Sequence, residues 1–159
     1  MKALVIYDSQ FGNTEKIAQA IGDALAAGAE TTMLRVTGAT PQALSGYDLL
    51  VVGSPTQRFN ATETLSGLLD GLELVDVKAA AFDTRFDREE VDSRVLRFAM
   101  KAAGDKAWAA TRIADLLAKA GATVISSPEG FIVEDTEGPL RPGEIDRAAG
   151  WAARLLTLV

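Results

Sequence analysis

The chain has 159 residues, 48% of them hydrophobic, with a net charge of −6 and a pI near 4.7. That length suits one domain with a substantial core, and the acidic balance disfavours a nucleic-acid partner, which needs a basic face. With no cysteine and no histidine, the chain cannot build disulfides, iron–sulfur clusters, thiol nucleophiles or Cys/His zinc sites, and it lacks the commonest general base.

Any chemistry therefore falls to a bound cofactor. The charge is compatible with solubility alone or with docking on a basic partner surface.

Met1 and Lys2 run directly into Ala3-Leu4-Val5-Ile6-Tyr7. This is a short apolar run of the kind that forms a strand buried on both faces of a parallel sheet. No cleavage-site pattern follows it, and no stretch reaches the roughly 20 apolar residues of a membrane span. A soluble, cytoplasmic protein is the expectation.

After a polar turn, residues 13–27 read as a helix. Ile17, Ala20, Ile21, Ala24 and Leu25 line one face, and Gly28 ends it. Residues 31–36 predict a more amphipathic second strand, and residues 37–46 a loop with room for one helical turn. Residues 48–53 form the most hydrophobic strand, the third. A loop of Ser54-Pro55-Thr56-Gln57-Arg58-Phe59-Asn60 leads to a helix over 62–72.

Residues 77–83 predict the fourth strand, and 108–120 a helix carrying Ile113, Leu116 and Leu117. Residues 122–133 supply the fifth strand, bent at 128–130. A closing helix spans 143–158, with Ile145, Ala149, Ala152, Leu155 and Leu156 turned inward. Between the fourth strand and the next helix, residues 86–105 begin polar and end in Val95, Leu96, Phe98 and Met100. That segment suits a lid, an extra helix or a partner surface.

Strands alternating with helices imply right-handed crossovers and a parallel sheet covered on both faces. The expectation is a single α/β domain over residues 1–159, with a doubly wound five-stranded parallel sheet of order 2-1-3-4-5. Such a sheet binds ligands beyond its C-terminal strand ends, at the switch point between strands one and three. The loops after Tyr7, Gly53 and Asp83 should therefore meet at one site.

In the first loop, Ser9 and Thr14 offer hydroxyls and Gly12 permits a tight turn. The N–H groups from Gln10 through Phe11 and Asn13 to Thr14 converge where the helix opens, a natural anion cradle. No lysine or arginine lies in the turn, and the Gly-Lys-Ser/Thr ending of a P-loop is absent. A helix cap by Asn13 or Thr14 is the plainer reading, but the position at the end of the first strand favours the cradle.

The run from Val5 through Asp8-Ser9-Gln10-Phe11-Gly12-Asn13-Thr14 to Ala18 resembles the flavodoxin signature. By that resemblance the first loop would bind the phosphate of FMN and the fold would be flavodoxin-like. Phe11 departs from the hydroxyl residue that many flavodoxins carry there. The stretch Gly53-Ser54-Pro55-Thr56 is similar to the family's second loop. Thr56 would then sit near the phosphate or ribityl chain, and Gln57 to Asn60 would line the flavin.

Phe59 would either stack on the ring or pack beneath the loop. In the third loop, Asp83, Thr84, Arg85 and Phe86 stand where family members pass the pyrimidine edge and often stack a tyrosine. Asp83 can equally cap a turn. Arg58 and Arg85 would raise the flavin potential if they lay beside the ring; otherwise they face solvent or pair with Asp87, Glu89 or Glu90.

The acidic loop Glu134, Asp135, Glu137 reads as solvated, and Trp108 and Trp151 as helix-face packing. The resemblance implies an electron carrier with redox partner proteins and no catalytic residue of its own. The alternatives are an NAD(P)H-dependent quinone or FMN reductase of the same fold, or a flavin-free regulatory or binding domain.

Overall fold

A computed structural model describes all residues, 1–159. Six strands and five helices alternate along the chain: β1 (Lys2–Tyr7), α1 (Asn13–Leu25), β2 (Glu30–Arg35), β3 (Leu49–Pro55), α2 (Glu63–Leu69), β4 (Lys78–Arg85), α3 (Arg94–Ala103), α4 (Ala109–Lys119), β5 (Thr123–Val124), β6 (Glu129–Ile132) and α5 (Glu144–Leu155). All pairings in the sheet are parallel, in the order β2-β1-β3-β4-β5, with β6 also on β4. The doubly wound topology is thus the one that the alternation of elements predicts.

The expected fifth strand is split. Lys78 pairs with Thr123, an offset of 45, whereas Phe82 pairs with Glu129, an offset of 47. The difference of two means that, after Ile125 donates its N–H to the Ala79 carbonyl, Ser126–Pro128 loops out of the ladder before pairing resumes at Glu129. Pro128 has no N–H to give a ladder, so the break precedes it rather than falling at 128–130.

The strands carry core on both faces. Leu4, Ile6, Leu50 and Val52 pack under α2 and α4, while Ala3, Val5, Val51 and Phe82 pack under α1 and α5. Period-two alternation in β1, β3 and β4 thus serves two apolar layers, which is why these strands read as continuous apolar runs. Phe82, Phe131 and Trp151 form a mutual edge-to-face triad with centroids 6.2 to 6.3 Å apart. The Phe82 ring lies directly over Gly53, where an added Cβ would come within 2.0 Å of it.

The closing helix differs from its predicted phase. Glu144, Ala148, Trp151, Ala152 and Leu155 face inward, and Ile145 is 42% exposed. A buried carboxylate on the inner face disguises the stripe, because Glu144 breaks the apolar pattern that would have revealed it. Residues 36–46 contain two short 3-10 turns, Val36–Gly38 and Pro41–Leu44, and β2 ends at Arg35. The segment 86–105 is an extra helix, α3, introduced by a 3-10 turn at Arg88–Glu90.

Candidate functional site

The C-terminal ends of β1, β3, β4 and β6 converge on one cleft. Gln10, Phe11, Asn13 and Thr14 line it from the first loop, Pro55, Thr56 and Gln57 from the second, and Thr84, Arg85 and Phe86 from the third. Val133 and Thr136 add a wall from the segment after β6. That fourth wall was not expected, since its acidic residues read as a solvated loop. The rule that ligands sit beyond strand C-termini would have pointed to it, because the segment follows the last strand.

The first loop turns at Gly12, whose φ of 88° lies in the left-handed region. Ser9, only 4% exposed, turns its Oγ inward to accept from the N–H groups of Gly12 (3.1 Å) and Glu15 (3.3 Å). The Ser9 hydroxyl is thus used to shape the loop. The N–H groups of Gln10, Phe11, Asn13 and Thr14 make no hydrogen bond within the chain. These donors open the 13-residue α1, which has no side-chain cap, so a partial positive charge is left facing the cleft.

Arg35, at the end of β2, donates from Nη2 to the Ser9 carbonyl and pins the loop from outside. It lies far from the loop in sequence, and only the parallel pairing of β1 with β2 brings Tyr7 and Arg35 level. Asp8 accepts from the Ser9 N–H and from the Thr62 hydroxyl at 2.7 Å, tying the loop to the start of α2. The Tyr7 hydroxyl donates to Glu15 Oε1 at 3.0 Å; burial, and then that carboxylate, push the phenol above its ordinary value.

In the second loop Ser54 is buried and accepts from the Thr62 N–H at 3.0 Å, so it supports the loop from below. Gln57 Nε2 donates to Gln10 Oε1 at 2.6 Å, latching the first loop to the second. Arg58 and Phe59 adopt positive φ, 48° and 65°. Asn60 closes the turn by exchanging backbone hydrogen bonds with Gln57. Arg58 is exposed, and Phe59 packs against the cluster of Met100, Ala107 and Trp108. Neither Arg58, Phe59 nor Asn60 lines the cleft; Arg58 and Asn60 border a groove that adjoins it through Gln10 and Gln57 and runs on to Asp8 and Thr64.

The third loop begins later than expected, because β4 continues through Thr84 and Arg85. Alternation along the strand then places Asp83 and Arg85 on the same side. The Arg85 guanidinium grips the buried Asp83 carboxylate twice, at 2.5 and 2.8 Å. The same carboxylate accepts from the Thr56 hydroxyl (3.2 Å) and the Ala110 N–H (2.8 Å), while Thr56 Oγ1 accepts from the Ala109 N–H (2.9 Å). Asp83 and Thr56 together supply the cap that α4 otherwise lacks, since its N-cap residue is Trp108.

Burial pushes the Asp83 carboxyl above its ordinary value, and Arg85, the Ala110 N–H and the Thr56 hydroxyl offset that only in part. The partner of Arg85 is therefore Asp83, and not Asp87, Glu89 or Glu90. Asp87 and Glu90 are both taken by Arg141, at 3.0 and 2.9 Å.

The Arg85 guanidinium also lies 4.3 Å above the Trp108 ring and passes over Gly130, where a Cβ would meet it at 2.2 Å. Thr84 is buried and shares a 2.8 Å hydrogen bond with Thr14, joining the first and third loops. Phe86 and Phe11 are 41% and 44% exposed on the rim. Asn13 Nδ2 donates to the Glu137 carbonyl, which holds the fourth wall against the start of α1.

The flavodoxin family model matches residues 5–153 of the chain. The chain belongs to the flavodoxin family. Among solved structures, oxidised flavodoxin 1 from Bacillus cereus is 18% identical and covers 100% of this chain and 99% of its own, with a TM-score of 0.77. Flavodoxin 2 from Bacillus cereus is 23% identical, with 96% and 95% covered and a TM-score of 0.72. The rubredoxin oxygen:oxidoreductase of Desulfovibrio gigas matches 98% of this chain but only 36% of its own, at 19% identity and a TM-score of 0.72. The flavodoxin fold of this chain thus also recurs within a larger protein. No helix here is long and apolar enough to cross a membrane.

Proposed function

We propose that this flavodoxin-family chain binds FMN and carries electrons between redox partner proteins. The observation that supports it most directly is the set of partnerless N–H groups at Gln10, Phe11, Asn13 and Thr14, gathered by the Gly12 turn at the opening of α1. They suit a dianionic phosphate held by neutral donors and the helix dipole. No carboxylate competes for them: Asp8 is bonded to Ser9 and Thr62, and Glu15 to Tyr7.

When bound, FMN supplies reversible one- and two-electron chemistry. The chain's own part is to bind and to shield. Thr14 and Thr84 border the phosphate end, and Gln10 and Gln57 latch the two loops across the cleft. Phe11, Pro55, Phe86 and Val133 offer apolar walls for the ring system, while Thr136 extends the site past β6. In this reading Ser9, Gly12, Ser54 and Asp83 shape the loops from behind, and Arg58, Phe59 and Asn60 set the second loop's turn.

Arg85 is the one charged side chain lining the cleft, and its positive charge is offset by Asp83. No carboxylate, lysine or tyrosine side chain lines the cleft, which favours a carrier over an enzyme with its own acid or base. The test is a fluorescence titration of the purified chain with FMN and with riboflavin. FMN should bind about 100-fold more tightly, corresponding to about 2.7 kcal/mol from the phosphate contacts. Equal affinities, or no flavin binding, would overturn the proposal. Stopped-flow mixing of the FMN-loaded chain with NADPH separates a carrier, which is not rapidly reduced, from a reductase, which is.

A further inference from the structure

The helix α3 divides into three stripes. Met100 turns inward to the cluster with Ala107 and Trp108, with Ala103 half-buried against it, while Leu96 is 41% exposed at the edge of this stripe. Arg94, Arg97 and Lys101, at spacings of three and four, form a second stripe; all are exposed and none is in an ion pair. Val95, Phe98 and Ala102 repeat the same spacing one residue on, so a third, apolar stripe runs beside the cationic one. Val95 is 80% exposed and Phe98 75%. No acidic residue lies within the helix.

The helix itself sits beside the cleft. Leu96 shares a groove with Phe86 and Val133, and both of those also line the cleft. Of the nearby acids, Asp87 and Glu90 are neutralised by Arg141, while Glu89, Asp92 and Asp105 lie at the helix ends. Large apolar side chains this exposed, ringed on one side by cations, are the make-up of a docking surface.

We infer that the outer face of α3 docks a redox protein whose own surface presents carboxylates around an apolar centre. The inference rests on the carrier reading only for its functional meaning. The chain as a whole is acidic, at −6, and by that measure alone would seek a basic partner. Net charge governs approach from a distance, but at 0.1 M salt the Debye length is about 10 Å, roughly the length of α3 from Arg94 to Lys101. At contact the partner feels the local cations. A second copy of the chain docking face to face would set cation against cation, which disfavours self-association through α3.

The probes are cytochrome b5, an acidic haem protein, and cytochrome c, a basic one. The 15N-labelled full chain is titrated with each at 0.1 M salt and followed by NMR. Cytochrome b5 should shift residues 94–102 as a group, and cytochrome c should not. The triple variant Arg94→Glu, Arg97→Glu, Lys101→Glu and the double variant Val95→Ser, Phe98→Ser change only exposed positions. Each should weaken cytochrome b5 binding at least tenfold.

Unchanged binding by both variants, shifts confined to other surfaces, or a wild-type preference for cytochrome c would overturn the inference. So would binding to phosphatidylserine vesicles in place of cytochrome b5, which would assign the face to a membrane. FMN loading, read by visible absorbance on the same samples, reports on the carrier reading separately from the docking result.

Discussion

Asp83 and Arg85 show how much one residue pair can hold together. Asp83 is fully buried and accepts from Arg85, Thr56 and the Ala110 N–H of α4. Removing one partner of a buried pair strands the other charge, which typically costs about 3–5 kcal/mol. Asp83→Ala and Arg85→Ala should each lower stability by that amount in urea denaturation. The double variant should cost clearly less than the sum, because neither charge is then stranded. Additive losses would mean that the pair is not coupled.

On the FMN-binding reading, Asp83→Asn also leaves Arg85 uncompensated at the cleft, so the flavin potential should rise in a spectroelectrochemical titration. This pair was legible in principle, since residues two apart on a strand share a side. Ending β4 at Asp83 hid it by placing Arg85 in a loop, where any nearby acid competes. The cradle was legible for the opposite reason, because its donors are backbone groups fixed by position.

At the level of elements, α5 is fastened to β6 by charge as well as by packing. Glu144 accepts from the Ile132 N–H at 2.7 Å and from Arg147, which also reaches Glu129 at 2.5 Å and the Gly130 carbonyl. Burial pushes the Glu144 carboxyl up, but the bonds from Arg147 and the Ile132 N–H outweigh it and leave it below its usual value. A carboxylate with a lowered folded-state pKa contributes stability that is present above its unfolded value. That contribution is lost as pH falls through the folded value.

Glu144→Gln should therefore cost about 1.5–3 kcal/mol at pH 7, in the range of one hydrogen bond to a charged group, and much less near pH 3. Denaturant midpoints at the two pH values check this, and a pH-independent cost would count against the charge as the cause. The same carboxylate explains the misphased helix. Apolar spacing finds a core face only when that face is apolar, and here a paired glutamate occupies it. Likewise Ser126–Pro128 leaves the ladder with no strong turn signal beyond Pro128, so one long strand was the natural expectation.

Across the whole molecule, the alternation of elements was enough to order the sheet and to bring three loops to its switch point. The fourth wall was within the same reach, since the last strand was expected to end at 133 and β6 ends at Ile132, but the acidic run after it read as solvated. Val133 pairs with Leu140 across the intervening acidic loop, and Asn13 and Arg141 hold that loop at its two sides. If FMN occupies the cleft, the four walls should respond as one site, since ligand binding stabilises the segments that must be ordered together.

Hydrogen exchange with and without FMN at about 100 times its Kd tests this. The ligand then adds about 2.7 kcal/mol to the native state, which corresponds to a Tm rise of about 5–10 °C for a domain of this size. Protection should increase in residues 9–14, 55–60, 84–87 and 133–138 at the same FMN concentration. Exchange in α3 should increase in protection no more than the global stabilisation requires, because none of its residues lines the cleft. Protection of the first three segments without 133–138 would remove Thr136 and its neighbours from the site while leaving the phosphate cradle in place.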